Sequence, residues 1–407
     1  MGQFPKDFFW GSSCSAYQVE GGNSNSDWWE WEKQSGVKEP SGNACSHYEF
    51  YENDFELAKN LNHNAHRLSI EWSRIEPEEG KFSTKELEHY KNVILSLKKR
   101  NITPVVTLHH FTNPLWFAKS GGWENPKSID YFFRFVRKVV EALCGEVTYW
   151  VTINEPLVYT YYSYTIGIWP PKVQSFKVSR VVNNNLLKAH IKAYKAIHDI
   201  YKQSNLSSPL VSIAKNLQVF TACRSTLRNK LAVYLRNKFF NFDFIHKLIK
   251  NNALDFIGIN YYMRGLVDVK GWGLNNLLLD VCKEGHSKLA KNSLGWDIYP
   301  QGLYDFILYF KKYNLPLFIL ENGICTDDDS ARWNFIRGHL LNINRAMETI
   351  GVKVIGYLYW SLLDNYEWDK GFSPRFGLVE VDYKTQKRRI RESAKKFAVV
   401  CREGQIN

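Results

Sequence analysis

Eight short apolar segments, distributed along almost the whole chain, constrain the fold more than any other feature of the sequence. They lie at residues 8–12, 65–70, 104–108, 148–153, 209–214, 254–259, 316–320 and 354–359. Residues 103–108, Thr-Pro-Val-Val-Thr-Leu, show the pattern well, because the run is β-branched and apolar on both faces. A parallel strand that is covered on both sides has this pattern. We therefore predict eight buried strands.

Helical patterns lie between these segments. Ser83 and Glu86 match a capping box at the start of one helix, and residues 185–202 and 333–350 form amphipathic helical patterns. The alternation predicts an α/β fold, a single (β/α)8 TIM barrel over residues 1–407 with elaborated loops after its strands. A doubly wound open sheet is the alternative, but no G-x-G-x-x-G or P-loop pattern follows the first segment.

The cysteines and the N-terminal residues bear on the cellular compartment of the protein. The seven cysteines are an odd number without a C-x-x-C pair, which argues against a disulfide framework and against a zinc site. Reduced thiols favour a cytoplasmic location. The N-terminal residues show no basic region followed by an apolar stretch, so we expect no signal peptide. No apolar run approaches the roughly 18 residues that a membrane helix needs.

The net charge of +12 raises the question of an anionic partner, such as nucleic acid, a membrane or an acidic substrate. The charges are spread along the chain, however, with one denser run at 384–396. We interpret that run as the solvated face of a helix and expect neither a nucleic-acid nor a membrane partner.

Polar and aromatic side chains follow several of the predicted strands. Arg67 lies within the second segment, and the others come after strand ends: His109, His110, Asn154, Glu155, Asn260, Tyr262, Glu321, Trp360, Glu367 and Trp368. Each alone has a structural explanation, for example a turn residue or a core histidine. In a parallel barrel all of them meet at one rim, where such residues are typically catalytic.

Two carboxylates at a rim that also carries amides and aromatic rings indicate acid/base chemistry at an acetal. Glycoside hydrolysis needs two carboxyl groups that flank the scissile bond. One protonates the leaving oxygen, and the other attacks the anomeric carbon or activates a water for that attack. A sugar also needs an aromatic surface and many hydrogen-bond partners.

These residues resemble glycoside hydrolase family 1, the β-glucosidase and β-glycosidase family, over nearly the whole chain. The similarity lies in seven motifs in order: Ala-Tyr-Gln-Val-Glu-Gly at 16–21, Arg-Leu-Ser-Ile-Glu-Trp at 67–72, Thr-Leu-His-His-Phe at 107–111, Thr-Ile-Asn-Glu-Pro at 152–156, Gly-Ile-Asn-Tyr-Tyr at 258–262, Leu-Glu-Asn-Gly at 320–323 and the run from Trp360 to Trp368. A single motif would be weak, but the ordered set is specific.

The resemblance implies retaining chemistry with Glu155 as acid/base and Glu321 as nucleophile. Retention places the two carboxyl groups roughly 5 Å apart. We expect burial and the charge of Glu321 to raise the pKa of Glu155. Arg67 and Tyr262 match the residues that keep the nucleophile ionised, and Asn260 matches one near the acid/base.

The resemblance also implies the sugar site. The residues expected to bind sugar hydroxyls are Gln18, His110, Asn154, Glu367 and Trp368, with Trp360 as an aromatic floor and Phe376 as a wall near the 6-position. The substrate would be a terminal β-glucoside, β-galactoside or β-fucoside, and a Glu367 carboxylate would repel a 6-phosphate. No cofactor and no metal are implied. Loops at 217–238, 264–294 and 324–332 look shorter than in the family.

Two other interpretations remain open at this stage. A transglycosylase would use the same covalent intermediate and pass it to a sugar acceptor, and the sequence does not separate the two. The second is a catalytically weak carbohydrate-binding protein, which the presence of both glutamates disfavours.

Overall fold

Eight parallel strands close into a barrel, as predicted. The computed structural model describes residues 2–35, 37, 39–282 and 287–407. In chain order the strands are β1 Phe9–Ser13, β2 Ala65–Ser69, β3 Thr103–His109, β4 Tyr149–Asn154, β5 Leu210–Ala222, β6 Ile257–Val267, β7 Leu317–Asn322 and β8 Val354–Trp360, and each pairs in parallel with its neighbours. Every predicted segment overlaps one of them, which confirms the α/β barrel.

Helices surround the strands. They are α1 Ala16–Val19, α2 Asp27–Ser35, α3 His47–Asn60, α4 Trp72–Ile75, α5 Thr84–Lys99, α6 Leu115–Lys119, α7 Ser128–Leu143, α8 Pro156–Thr160, α9 Phe176–Gln203, α10 Leu227–Arg236, α11 Asp243–Lys250, α12 Leu274–Leu279, α13 Gln301–Phe310, α14 Asp329–Ile350 and α15 Glu392–Glu403. The predicted capping residue Ser83 accepts a hydrogen bond from the Glu86 N–H at 3.2 Å. The patterns at 185–202 and 333–350 fall within α9 and α14.

Shorter elements complete the fold. Two antiparallel strand pairs lie outside the barrel, Gly2–Gln3 with Gln405–Ile406 and Val379–Val381 with Arg388–Ile390. Single turns of 3-10 helix lie at Gly122–Glu124, Lys311–Tyr313 and Trp368–Lys370, and π-helical segments lie at Tyr161–Thr165 and Asn237–Phe242.

The core has two layers. Small and apolar residues fill the inside of the barrel, including Ala65, Val105, Val151, Phe318 and Leu358. A larger apolar layer lies between the strands and the helices. A filled barrel is not a pore, so the site must lie in the loops at one end of the strands.

Strands β5 and β6 continue beyond the predicted limits. Their pairing runs on from Val219 opposite Arg264 to Ala222 opposite Val267. Two segments interpreted as shortened loops, 217–238 and 264–294, therefore begin as strand, although residues 283–286 lie outside the described part. The sequence did not reveal this extension, because Val219 and Phe220 are only partly buried and lie between the polar residues Gln218 and Thr221.

The expectation that all cysteines are reduced is wrong for one pair. Cys223 and Cys282 form a disulfide in the structure. The extended strand pair explains their proximity, since the Cys223 N–H donates to Val267 O and the Cys282 N–H donates to Leu266 O. Such a contact between residues distant in sequence is not visible in cysteine spacing. The remaining cysteines are free, at positions 14, 45, 144, 325 and 401.

Candidate active site

The two glutamates stand at the carboxyl ends of strands β4 and β7. Glu155 follows β4 directly and adopts a left-handed backbone conformation with φ of 44°, while Pro156 starts helix α8. A non-glycine residue in this conformation marks local strain of the kind found at functional sites. Glu321 is the second-to-last residue of β7. Because parallel strands end at the same rim, both carboxyl groups face the same end of the barrel.

A glycine after Glu321 lets two strand ends come together. A Cβ at Gly323 would lie 1.9 Å from the Trp360 carbonyl oxygen, at the end of β8. Only glycine allows this approach. The Glu-Asn-Gly sequence therefore has a packing reason as well as a chemical one, since it brings the Trp360 ring to the rim that carries Glu321.

The Glu321 carboxylate is buried and held by two donors. Arg67 Nη1 donates to its Oε1, and the Tyr262 hydroxyl donates to its Oε2 at 2.6 Å. The Arg67 side chain is fully buried and also donates to Thr107 Oγ1 at 2.9 Å and to Asn154 Oδ1 at 2.7 Å. A buried cation with every arm engaged stabilises an ionised carboxylate at a fixed position.

Glu155 has a different environment. Asn260 Nδ2 and Asn216 Nδ2 donate to Glu155 Oε1 from 2.9 Å and 3.1 Å, and neither neighbour is a cation. Burial raises the pKa of Glu155 to about 7, with a further contribution from the charge of Glu321. The two carboxyl groups thus differ in the way that separates an acid from a nucleophile. Their predicted separation of about 5 Å stays a prediction.

Asn154 links the glutamates to a histidine. Arg67 donates to Asn154 Oδ1, which fixes the orientation of the amide, and Asn154 Nδ2 donates to His110 Nε2 at 3.1 Å. Burial, and then the charge of Arg67, hold the pKa of His110 well below its usual value. The imidazole is therefore neutral. Its ring stacks with the rings of Trp360 and Trp368, at centroid distances of 5.9 Å and 6.1 Å.

Gln18 and Glu367 form the opposite side of the site. Gln18 Nε2 donates to Glu367 Oε2 at 3.2 Å and to the Tyr366 carbonyl at 2.8 Å. Burial, with the nearby charge of Glu321, raises the pKa of Glu367 to about 8. Burial therefore favours the protonated form of Glu367, which weakens the expected charge repulsion of a 6-phosphate, and the preference for an unphosphorylated sugar stays a prediction. The sequence does not show this burial.

One cavity of about 1600 Å³ connects these groups. Ten of the predicted residues line it: Gln18, His110, Asn154, Glu155, Tyr262, Glu321, Trp360, Glu367, Trp368 and Phe376. The other two, Arg67 and Asn260, do not line it but contact residues that do. Ligand sites are usually about 300–1,000 Å³, so the cavity exceeds what one sugar ring needs.

Sequence reasoning missed several residues of the site. Asn216, which donates to Glu155, follows the predicted strand 209–214 and carries the same signal as the other strand-end residues. Thr107 orients Arg67 from within a strand. Trp296 packs against Tyr262 and Phe376 at centroid distances of 6.0 Å and 6.3 Å, but lies in a loop without any pattern.

Two kinds of feature are absent from the described residues. Among residues 2–35, 37, 39–282 and 287–407, no cluster of three histidine, cysteine or acidic side chains is arranged to hold a metal ion. In the same part of the chain, no helix combines the length and the apolar character needed to cross a bilayer.

Comparisons with known proteins agree on one family. The model of the family described as "Glycosyl hydrolase family 1" matches residues 1–246 and 229–405. A 1,4-beta-D-glucan glucohydrolase of Thermotoga neapolitana is 31% identical over 440 residues, which cover 97% of this chain and 97% of that protein. A beta-galactosidase of Sulfolobus acidocaldarius is 31% identical and covers 100% and 96%. The solved beta-glycosidase from Pyrococcus horikoshii superimposes with a TM-score of 0.93 at 39% identity, covering 100% and 97%.

Proposed function

Since the chain belongs to glycosyl hydrolase family 1 and is a retaining β-glycosidase, we propose that Glu321 is its nucleophile and Glu155 its acid/base. The observation that supports these roles is the unequal environment of the two carboxyl groups. Glu321 is held by a buried arginine, whereas Glu155 has amide donors and a pKa raised to about 7 by burial and by Glu321.

In the first step Glu321 attacks the anomeric carbon while Glu155 protonates the glycosidic oxygen. The bond from the anomeric carbon to that oxygen breaks, the aglycone leaves as an alcohol, and a glycosyl ester of Glu321 forms. Glu155 ends as a carboxylate. Arg67 and Tyr262 keep Glu321 ionised and oriented until the attack.

In the second step the roles of Glu155 reverse. Esterification removes the charge of Glu321, which is one of the two main causes of the raised pKa of Glu155. The pKa of Glu155 then falls, so the group acts as a base toward the incoming water. Asn216 and Asn260 stabilise the carboxylate in this state. Water attacks the anomeric carbon, Glu155 regains its proton, and Glu321 is released with retention of configuration.

The sugar would bind between the aromatic residues and the amide side of the cavity. We propose that Trp360 lies beneath the sugar ring, and that His110, Asn154, Gln18 and Glu367 bind its hydroxyls. A protonated Glu367 can donate as well as accept a hydrogen bond, and Gln18, which donates to Glu367, lies beside it. These groups suit a terminal glucose, and they also suit galactose or fucose.

A test of the roles uses p-nitrophenyl β-glucoside, with the galactoside, fucoside and 6-phosphoglucoside beside it. We expect turnover of at least one unphosphorylated substrate and loss of about 10⁴-fold or more in kcat/KM for Glu321→Gln. Glu124→Gln, at an exposed glutamate outside the cavity, is the matched control. Ordinary turnover by Glu321→Gln would contradict the nucleophile assignment, and turnover of the phosphorylated substrate alone would contradict the sugar site. Analysis of the products separates hydrolysis from transfer to a sugar acceptor.

The location of the protein stays a prediction. The free cysteines support the cytoplasm that the sequence suggested, whereas the bond between Cys223 and Cys282 does not.

A further inference from the structure

Helix α10 exposes an apolar stripe. Leu227, Leu231 and Tyr234 are 81%, 40% and 61% exposed. Their spacing of four and three residues places them on one face of the helix. Single exposed apolar residues are ordinary on protein surfaces, but an aligned set on one helix face indicates an interaction surface.

The opposite face of α10 fixes this orientation. Ala232 is fully buried in a small apolar cluster with Val267, Val269 and Leu277. The Val269 N–H donates to Asn229 Oδ1 at 2.9 Å. Because these contacts hold the inner face against strand β6 and helix α12, the helix does not rotate to bury its outer leucines.

Three further apolar side chains extend the stripe. Trp272 is 59% exposed and lies under the Arg228 guanidinium, with 4.6 Å between that group and the ring centroid. Phe239 is 45% exposed just after α10, and Val281 is 66% exposed just after α12, which packs on α10. We call the six residues the α10 surface: Leu227, Leu231, Tyr234, Phe239, Trp272 and Val281.

Cations flank these residues. Between positions 224 and 250 the sequence holds one acidic residue, Asp243, and seven cations: Arg224, Arg228, Lys230, Arg236, Lys238, Lys247 and Lys250. Of these, Arg224 is paired with Asp268 and Arg236 is buried, which leaves five to flank the surface. Arg228 and Lys230 lie to either side of the stripe on α10 and are exposed, as is Lys238 beyond its end. Apolar residues flanked by lysine and arginine are typical of a helix that lies in the interface of an anionic membrane.

We propose that the α10 surface docks on an anionic lipid bilayer. The apolar side chains would enter the boundary between headgroups and acyl chains, and the flanking cations would contact anionic headgroups. This departs from the sequence-based expectation of no membrane partner, which rested on charges that look dispersed along the chain.

Two other partners fit the surface less well. In a symmetric dimer through this face, each copy would place its cations against those of the other, which opposes association. Nucleic acid would use the cations and stack on Trp272 or Tyr234, but it gives exposed leucines and a valine no apolar environment. A bilayer satisfies both kinds of side chain at once.

The surface is continuous with the catalytic cavity. Phe239 and Val281 belong to the α10 surface and also line the cavity that holds Glu155 and Glu321. Docking would therefore present the cavity mouth to the bilayer, where amphiphilic glycosides with an acyl or alkyl aglycone are concentrated. This consequence rests on the proposed function, whereas the docking itself does not.

Co-sedimentation of the full chain with vesicles tests the docking. We use vesicles of phosphatidylcholine alone and of phosphatidylcholine with phosphatidylserine, at low and high salt. We expect binding to the anionic vesicles that weakens with salt. The double variant Leu227→Ser/Tyr234→Ser should bind at least about tenfold more weakly, since each side chain contributes about tenfold when buried. Lys230→Glu should also weaken binding about tenfold or more.

Matched variants control for the substitutions. Leu308→Ser changes a leucine of α13 that is 49% exposed, and Lys59→Glu changes an exposed lysine of α3. Both should bind vesicles like the unaltered chain. All four variants should hydrolyse dissolved p-nitrophenyl β-glucoside at the unaltered rate, because none of the changed residues lines the cavity.

Three outcomes would overturn the docking proposal. One is absence of binding to the anionic vesicles. Another is equal weakening by the control variants. The third is a dimer, measured by light scattering, that Leu227→Ser/Tyr234→Ser dissociates while vesicle binding is absent. Failure of the proposed function is distinguishable, since it appears as lack of turnover of dissolved and bilayer-bound glycosides while vesicle binding persists.

Discussion

Asn216→Ala tests the acid/base assignment sharply, because it removes one hydrogen bond from Glu155 and leaves both carboxyl groups in place. Asn216 Nδ2 lies 3.1 Å from Glu155 Oε1, and Asn260 Nδ2 donates to the same oxygen from 2.9 Å. Both donors favour the ionised form. They therefore oppose burial and the charge of Glu321, and the pKa of Glu155 is raised to about 7 despite them.

The size of the effect follows from the hydrogen bond. A hydrogen bond to a charged group contributes about 1.5–3 kcal/mol, and about 1.4 kcal/mol corresponds to one pKa unit. Asn216 is the more distant of the two donors and Asn260 remains, so we expect the pKa of Glu155 to rise by about one unit. In the proposed mechanism Glu155 must be protonated in the first step. A higher pKa therefore extends the active range of the free enzyme to higher pH.

The assay is the pH dependence of kcat/KM for p-nitrophenyl β-glucoside, from about pH 4 to pH 10. The alkaline limb should move up by about one unit, and the acid limb should stay, since the substitution removes a contact of Glu155. Asn184→Ala, an exposed asparagine that also lines the cavity, should leave both limbs unchanged. An alkaline limb that stays in place in Asn216→Ala, or moves to lower pH, refutes the reasoning.

Three further predictions concern the site and the stability. Glu155→Ala should impair substrates with poor leaving groups most, and azide should rescue an activated substrate as the β-glycosyl azide; an α product would exclude retention. Tyr262→Phe removes the 2.6 Å hydrogen bond to Glu321, the proposed nucleophile, and should lower kcat/KM about ten- to a hundredfold, so unchanged kinetics would contradict its role. Arg388→Ala removes an ion-pair partner of the fully buried Asp54 carboxylate. It should lower the free energy of unfolding by about 3 kcal/mol in urea titrations. The exposed neighbour Arg389→Ala should change it by less than about 1 kcal/mol, and equal effects would show that burial is irrelevant.

Much of the barrel follows from local sequence. A strand that is covered on both faces needs apolar side chains at successive positions, and this pattern is readable within a short window, as at β3 and β7. The extension of β5 and β6 beyond the barrel was not readable. Its residues pair with each other but are only partly covered, so Val219 and Phe220 give no continuous apolar run.

The candidate site could be located in the same way, but its chemistry could not. Strand ends placed Glu155 and Glu321 at one rim before any distance was known. The sequence contained no information on the burial that raises the pKa of Glu367 to about 8, and that burial bears directly on the expected repulsion of phosphate. Asn216 differs from Glu367, because its position after a predicted strand is visible in the sequence.

The barrel, the rim and the family could therefore be predicted from the chain alone, since they depend on periodicity and on motifs that lie within a few residues of each other. Tertiary structure was needed to show which groups meet across long separations: the donors of each glutamate, the bond between Cys223 and Cys282, and the packing of Trp272 and helix α12 against α10. The physical reason is that pKa values, hydrogen bonds and surface charge depend on distance and solvent exposure in space, and those are set only when segments distant in sequence pack together.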